Sequence, residues 1–197
     1  MFEISMLGDV NNLDVALDVA RRFLRFEGGS DAPGAPAESD RPASAAPPGE
    51  KPDVESLMAR FNENPDRNVL LWLLDVVFDI SAPVHWWKQI QQYEVDIFWL
   101  RRSGELERGE RLLSEKDFDG AISPEKLFIL NNYIRDGQPE MTIKILPLNF
   151  IQRGFLKTTY KTLNEIHCDK ADIADDRWEA FLDYLRTLPY NELITQC

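Results

Sequence analysis

Few side chains in this 197-residue chain are placed to do chemistry, and each group has a plainer reading beside it. His85, Trp86 and Trp87 are consecutive, with Lys88 next. They could form an aromatic platform for a ring-shaped ligand, with Lys88 supplying charge. Adjacent tryptophans on a helix point about 100° apart, however, so burial against different neighbours is the stronger expectation. Tyr93 and the pair Arg101–Arg102 follow in the same stretch, "PVHWWKQIQQYEVDIFWLRR". His167 and Cys168 have the residue types of a nucleophile pair, but neighbours on a helix do not face each other. Asp172, Asp175, Asp176 and Glu179 could hold a cation, yet they crowd the start of a helix, where the dipole favours acids in any case. The two cysteines, Cys168 and Cys197, form no metal-ligand spacing, and a disulfide between them is left open. No metal is expected. No Gly-rich phosphate loop, CxxC pair or HExxH is present.

The elements that must position these residues follow from periodicity. "MFEISML" alternates as a strand, and a helix with Asn11 or Asn12 at its cap runs through "LDVALDVARRFLRF". Residues 1–26 are too few to fold alone and must dock on the remainder. Residues 27–52 hold six of the 12 prolines, four of the 10 glycines and no aromatic side chain. They cannot bury enough apolar surface to offset ordering entropy and read as a disordered insertion. The body, 53–197, begins with a short helix capped by Asp53. In "VLLWLLDVVFDI" the second half reads as a buried strand. "SAPVHWWKQIQQYEVDIFWL" reads as one helix, and "SPEKLFILNNYIRDG" as a helix from Ser123 to Gly137. "TIKILPLNF" reads as a short strand or buried segment. "KTTYKTLNEIHC" and "ADDRWEAFLDYLRTLP", the latter carrying Trp178, read as amphipathic helices, and "ERGERLLSEKDFD" as a solvated segment. The class is α+β: one helix-rich domain with a small sheet.

The net charge of −12 disfavours general nucleic-acid binding. No apolar run is long enough for a membrane span, and the start lacks the pattern of a secretory signal, so a cytoplasmic protein is expected. A homo-oligomer is left open.

From about Val69 to Thr195 the chain resembles a family of conserved, uncharacterised phage and prophage proteins. The matching stretches are "DISAPVHWWKQIQQYEV", "ILPLNFIQRGFLKTTYKTL" and "RWEAFLDYLRTLPYNELIT", which follow Asp-Ile-x-Ala-Pro-x-x-Trp-Trp-Lys and a closing Leu-Pro-Tyr-x-Glu-Leu-Ile. By the order of its motifs the chain also resembles, more distantly, the flavin-dependent thymidylate synthases. On that likeness Thr159 stands at a family Asn, and Lys161 and Lys170 stand at family arginines. The Arg-His-Arg signature falls near Gln92, Tyr93 and Glu94, which puts a carboxylate where phosphate partners are needed.

The resemblance implies a thymidylate-synthase-complementing-like fold with a degenerate signature. The function it implies is a phage-derived accessory or interaction protein without synthase activity. Its partners would be host or phage proteins, including basic nucleic-acid-binding ones, and no cofactor is expected. The alternative is a divergent FAD-dependent thymidylate synthase, or another nucleotide-binding enzyme, using Lys88, Arg101, Arg102, Lys161 and Lys170 as ligand contacts. A weaker third reading is an acidic DNA mimic. Trp86, Trp87, His85, Tyr93 and Trp178 are expected to be structural.

Overall fold

The computed structural model describes residues 2–10, 71–100 and 111–197. The chain divides into two compact units, Met1–Asn11 with Asp75–Cys197 and Asn12–Leu74. The helix expected after Asn12, the insertion at 27–52, the helix at Asp53, and Arg101 with Arg102 lie outside the described residues.

The first unit is built on four antiparallel strands: β1 (Glu3–Met6), β2 (Asp75–Pro83), β3 (Asp96–Trp99) and β4 (Ile151–Thr159), in the order β1-β2-β4-β3. Strand β2 shows why it is central. Val76, Phe78, Ile80 and Ala82 are buried, while Asp75, Val77, Asp79 and Ser81 are half-exposed on the other face. That period of two fixes the register, because a one-residue slip would move the whole apolar set into water. Phe78 pairs with Leu156 of β4, and Asp79 with Phe155.

Pro83 ends β2 in extended backbone, and helix α1 (Val84–Ile90) starts directly after it. Helix α2 (Pro124–Arg135) has Ser123 at its N-cap, accepting from the Lys126 amide, and Pro124 in its first turn. Gly137, at φ +70°, closes it in the left-handed conformation that a Cβ disfavours. Helix α3 is Pro139–Ile145. Helix α4 (Tyr160–Lys170) leaves β4 with Thr159 as its cap, and α5 (Asp176–Leu185) starts from Asp175, whose carboxylate accepts from the Arg177 amide.

The main core lies between the sheet and α1, α4 and α5. Trp86, Trp87 and Trp178 are each 1 % exposed, and Phe78, Tyr160, Leu163, Ile166 and Phe181 are sealed with them. A second cluster joins Leu113, Phe118, Leu130, Ile134 and Phe150.

Four expectations need correction. The stretch 81–100 is not one helix: α1 stops at Ile90, a turn follows, and Asp96–Trp99 is an edge strand paired to β4. "TIKI" belongs to α3, started by Pro139, rather than to a strand. Lys157–Thr159 end β4, a nine-residue strand not anticipated from the sequence, and the helix begins only at Tyr160. The segment read as merely solvated also contributes Leu113 and Phe118 to a core, with Asp117 closing a capping box on Ser114.

Candidate functional site

Three of the places in the described unit where polar or reactive side chains meet involve residues that could form a site. The first joins α1, the turn after it, and α4. Lys170, at the end of α4, is 9 % exposed. Its ammonium lies 5.6 Å from the Tyr93 ring centroid and 5.3 Å from that of Trp178, and it pairs with Asp169 at 2.8 Å. The Tyr93 hydroxyl donates to the same carboxylate. Trp178 Nε1 donates to Gln89 Oε1 at 2.6 Å, which fixes the indole under the lysine. Burial works to lower the Lys170 pKa, but the hydrogen bonds to Asp169 and Tyr93 outweigh it, and the ammonium is held above its usual value. Burial, then the bond to Asp169, raises the Tyr93 phenol. Three residues singled out in the sequence, Tyr93, Lys170 and Trp178, thus converge, and what they build is an enclosed cation between two rings.

The other singled-out residues that are described do not join them. Lys161, in the first turn of α4, pairs with Glu165 one turn on, at 2.6 Å. Lys161 and Lys170 are nine residues apart on one continuous helix, hence on opposite sides of it and about 13–14 Å apart along its axis. Lys88 is exposed in the last turn of α1. His85 Nδ1 lies 3.2 Å from the Leu148 carbonyl. Trp86 is enclosed by the rings of Phe2, Trp87, Trp178 and Phe181, with centroids 5.2–5.5 Å away. Trp87 Nε1 donates to the Gln152 carbonyl at 3.2 Å, and its ring meets Trp99. Gly154 fits closely there: a Cβ would sit 3.3 Å from the Trp99 ring and 3.4 Å from that of Trp87, a tight contact that those rings would have to ease. Glu94 is exposed, and its carbonyl accepts from Thr158.

The second place is a shallow cleft of about 300 Å³ lined by Glu3, Ile4, Ser5, Asp79, Ser81 and Arg153. Arg153 grips Asp79 with two parallel bonds, Nε to Oδ1 at 2.8 Å and Nη2 to Oδ2. Those bonds, together with the guanidinium charge, hold the Asp79 carboxyl below its ordinary range. Sequence reasoning missed this pair because it depends on β4. The signal present was the alternation of outward Arg153, Phe155 and Lys157 with inward Gly154, Leu156 and Thr158.

The third place joins α4 to the end of the described chain. Cys168 and Cys197 form a disulfide, with Cα atoms 5.5 Å apart. The buried His167 brings Nδ1 to 3.6 Å from Cys197 Sγ. Burial, and then Arg186, lower its pKa. Adjacent residues on α4 do not activate each other, but a third residue 29 positions away reaches both.

Neither the protein-family models nor the curated proteins contain a match to this chain. Among solved structures it is similar to thymidylate synthase X (ThyX) from Helicobacter pylori with FAD and dUMP, at TM-score 0.63 and 12 % identity over 99 % of this chain and 97 % of that one. It is likewise similar to flavin-dependent thymidylate synthase ThyX from Helicobacter pylori complexed with FAD and dUMP, at TM-score 0.64 and 13 % identity over 98 % and 97 %. At that identity the likeness is one of fold, and the α+β architecture with its four-stranded antiparallel sheet is the ThyX fold. No described helix is long and apolar enough to cross a membrane.

Proposed function

We propose that the chain uses the ThyX fold as a protein-binding scaffold, without thymidylate synthase activity, and that it serves as a phage-derived accessory protein. The observation that carries the reading is the state of the two cations at the phosphate-partner positions. Lys161 is engaged by Glu165, and Lys170 is enclosed by Asp169, Tyr93 and Trp178 on the other side of α4. A flavin pyrophosphate or a nucleotide phosphate needs several convergent donors, each charge-assisted contact giving about 1.5–3 kcal/mol. Two cations on opposite sides of a helix, each with a carboxylate already beside it, do not fit that demand. Among the described residues Arg153 is no substitute, since Asp79 holds its fork.

Two features support the interaction role. Helices α2 and α3 leave Phe128, Ile129, Met141, Ile143 and Ile145 in solvent, and Phe128 is 62 % exposed. The net charge of −12 favours basic partners. The phage assignment rests on the motif resemblance alone.

The second reading, a divergent FAD-dependent synthase methylating dUMP, is favoured by a fold likeness that spans almost the whole chain. Absorbance decides between the two. The purified protein should be colourless, should show no thermal shift with FAD or dUMP, and should not rescue a thymidine-requiring bacterial strain. Bound flavin, or rescue that is lost on Lys161→Ala, would replace the scaffold reading with the synthase one.

A further inference from the structure

The side chains of His167, Cys168 and Cys197 carry more than a covalent staple. One ligand atom from each lies within 4.8 Å of the others. A tetrahedral zinc with Zn–S near 2.3 Å and Zn–N near 2.0–2.1 Å sets its N and S donors about 3.6 Å apart and its two sulfurs about 3.8 Å apart. The observed Nδ1 to Cys197 Sγ separation is 3.6 Å. The imidazole is already at the spacing of one tetrahedral edge. Opening the disulfide lets the sulfurs relax towards the other, and the remaining pair, His167 Nδ1 and Cys168 Sγ, lies within 4.8 Å.

The segment that brings Cys197 here is held independently of the sulfurs. Asn164, one turn before Cys168, donates through Nδ2 to the Ile194 carbonyl at 2.8 Å and the Gln196 carbonyl at 2.6 Å. Leu193 and Ile194 are buried. The thiols would therefore stay close after reduction. Both cysteines are exposed, so a cation can enter and a water can fill a fourth position, while His167 reaches it from the buried side.

We propose that the reduced protein binds a thiophilic divalent cation, zinc foremost, through His167 Nδ1, Cys168 Sγ and Cys197 Sγ. The disulfide is the metal-free, oxidised form of the same site. Two soft thiolates and an imidazole select zinc or cobalt over magnesium or calcium, which take oxygen ligands. Conversion from the disulfide needs two electrons and two protons; a dithiol supplies both as it closes to its own disulfide, whereas a phosphine supplies the electrons and water the protons as the phosphine becomes its oxide. Each thiol then gives up its proton as its sulfur binds the metal. The bound metal fastens residues 193–197 to α4 in the reduced state, as the disulfide does in the oxidised state.

The test titrates cobalt(II) chloride into the full chain under anaerobic conditions, either reduced with a phosphine or left oxidised. The reduced protein should develop thiolate-to-cobalt absorption in the near-ultraviolet with one-to-one stoichiometry, and zinc chloride should bleach it. The oxidised protein should develop no such absorption on adding cobalt. Cys197→Ser should weaken cobalt binding at least a hundredfold and His167→Gln at least tenfold, with far-ultraviolet circular dichroism unchanged. Zinc should raise the melting temperature of the reduced wild type only. A reduced wild type without the charge-transfer band would overturn the proposal, and so would equal binding by the oxidised form. The oxidised comparison holds even if a variant fails to fold, and none of these readouts depends on whether the protein binds flavin.

Discussion

Replacing each of the three buried tryptophans by phenylalanine separates ring packing from hydrogen bonding. Trp86, Trp87 and Trp178 are equally sealed from water, at 1 % exposure each. Their indole N–H groups differ. Trp87 donates to the Gln152 carbonyl and Trp178 to Gln89 Oε1, while Trp86 Nε1 is buried without a hydrogen-bond partner among the described residues. The change of ring removes a similar volume from each site. About 40 Å³ at roughly 24 cal/mol per Å³ of residual cavity costs about 1 kcal/mol. Trp87→Phe and Trp178→Phe lose in addition a hydrogen bond with a net worth of about 0.5–1.5 kcal/mol, for a total near 2 kcal/mol. Trp86→Phe instead removes an unmatched donor whose burial costs about 1–3 kcal/mol, which offsets the cavity.

Trp86→Phe should therefore be close to neutral and more stable than Trp87→Phe by about 2 kcal/mol. Urea unfolding followed by far-ultraviolet circular dichroism reads this as a midpoint difference of about 1 M, for slopes of roughly 1–3 kcal/mol per M. The slopes themselves should agree. Trp86→Ala, which removes the whole ring from between Phe2, Trp178 and Phe181, should cost about 3–5 kcal/mol. If Trp86→Phe proves as damaging as Trp87→Phe, the reasoning fails, and the N–H of Trp86 is satisfied by a water or a ring face.

Asn131→Ala should cost about 2–4 kcal/mol by urea unfolding, because the Asn131 amide accepts from the Leu113 N–H and donates to the Leu113 carbonyl, leaving both unmatched when removed. Thr159→Ala should cost about 1 kcal/mol by losing the cap of α4, and Thr159→Asn should retain it, both read as midpoint shifts. The Asp79 carboxyl titrates lower in the folded chain than unfolded, so its pairing adds stability above the unfolded pKa, near 3.9, and loses it as pH falls through the folded value. Wild type and Asp79→Asn should accordingly differ at neutral pH and converge as the pH falls through the folded value, with the gap narrowed by salt because Arg153 is half-exposed. Residues 28–50 bury little on composition, so a short Gly/Ser loop in their place should leave the melting temperature within a few degrees, and a collapse of soluble yield would contradict that.

Where local chemistry and tertiary packing agree, the sequence is a sufficient guide. Helix α2 is spelled out by Ser123, Pro124 and Gly137, and α5 by Asp175 at one end and Pro189 beyond the other. Both have cores set by helical spacing. The failures lie where long-range pairing decides. Asp96–Trp99 forms a strand because β4 offers an edge, and only Ile97 and Trp99 face its apolar side. In β4, Gly154 and Thr158 weaken the apolar alternation. A Cβ at Gly154 would press on the Trp87 and Trp99 rings, neighbours 67 and 55 positions away in sequence. The disulfide and its histidine are of the same kind: His167–Cys168 is local, but Cys197 is delivered by the Asn164 hydrogen bonds.

The lysines show how a structure sharpens a spacing argument. Nine residues between Lys161 and Lys170 allow an angle of 90–180°, depending on where the helix frays. Helix α4 runs unbroken from Tyr160 to Lys170, so the upper end of that range applies. What spacing could not convey is the surroundings of each head group. Lys170 lies against Trp178 because α5 crosses α4 there, and against Tyr93 because α1 ends at Ile90 instead of continuing through Leu100. The break in the expected long helix frees Tyr93 to donate to Asp169, and Asp169 in turn holds Lys170. Lys170→Met, which keeps the stem and drops the charge, should therefore be tolerated better than Asp169→Ala, which leaves the ammonium of a largely buried lysine between two rings without its carboxylate. Urea midpoints give that order directly. The opposite order would mean that the ammonium is solvated, and would return Lys170 to the set of cations available for a phosphate.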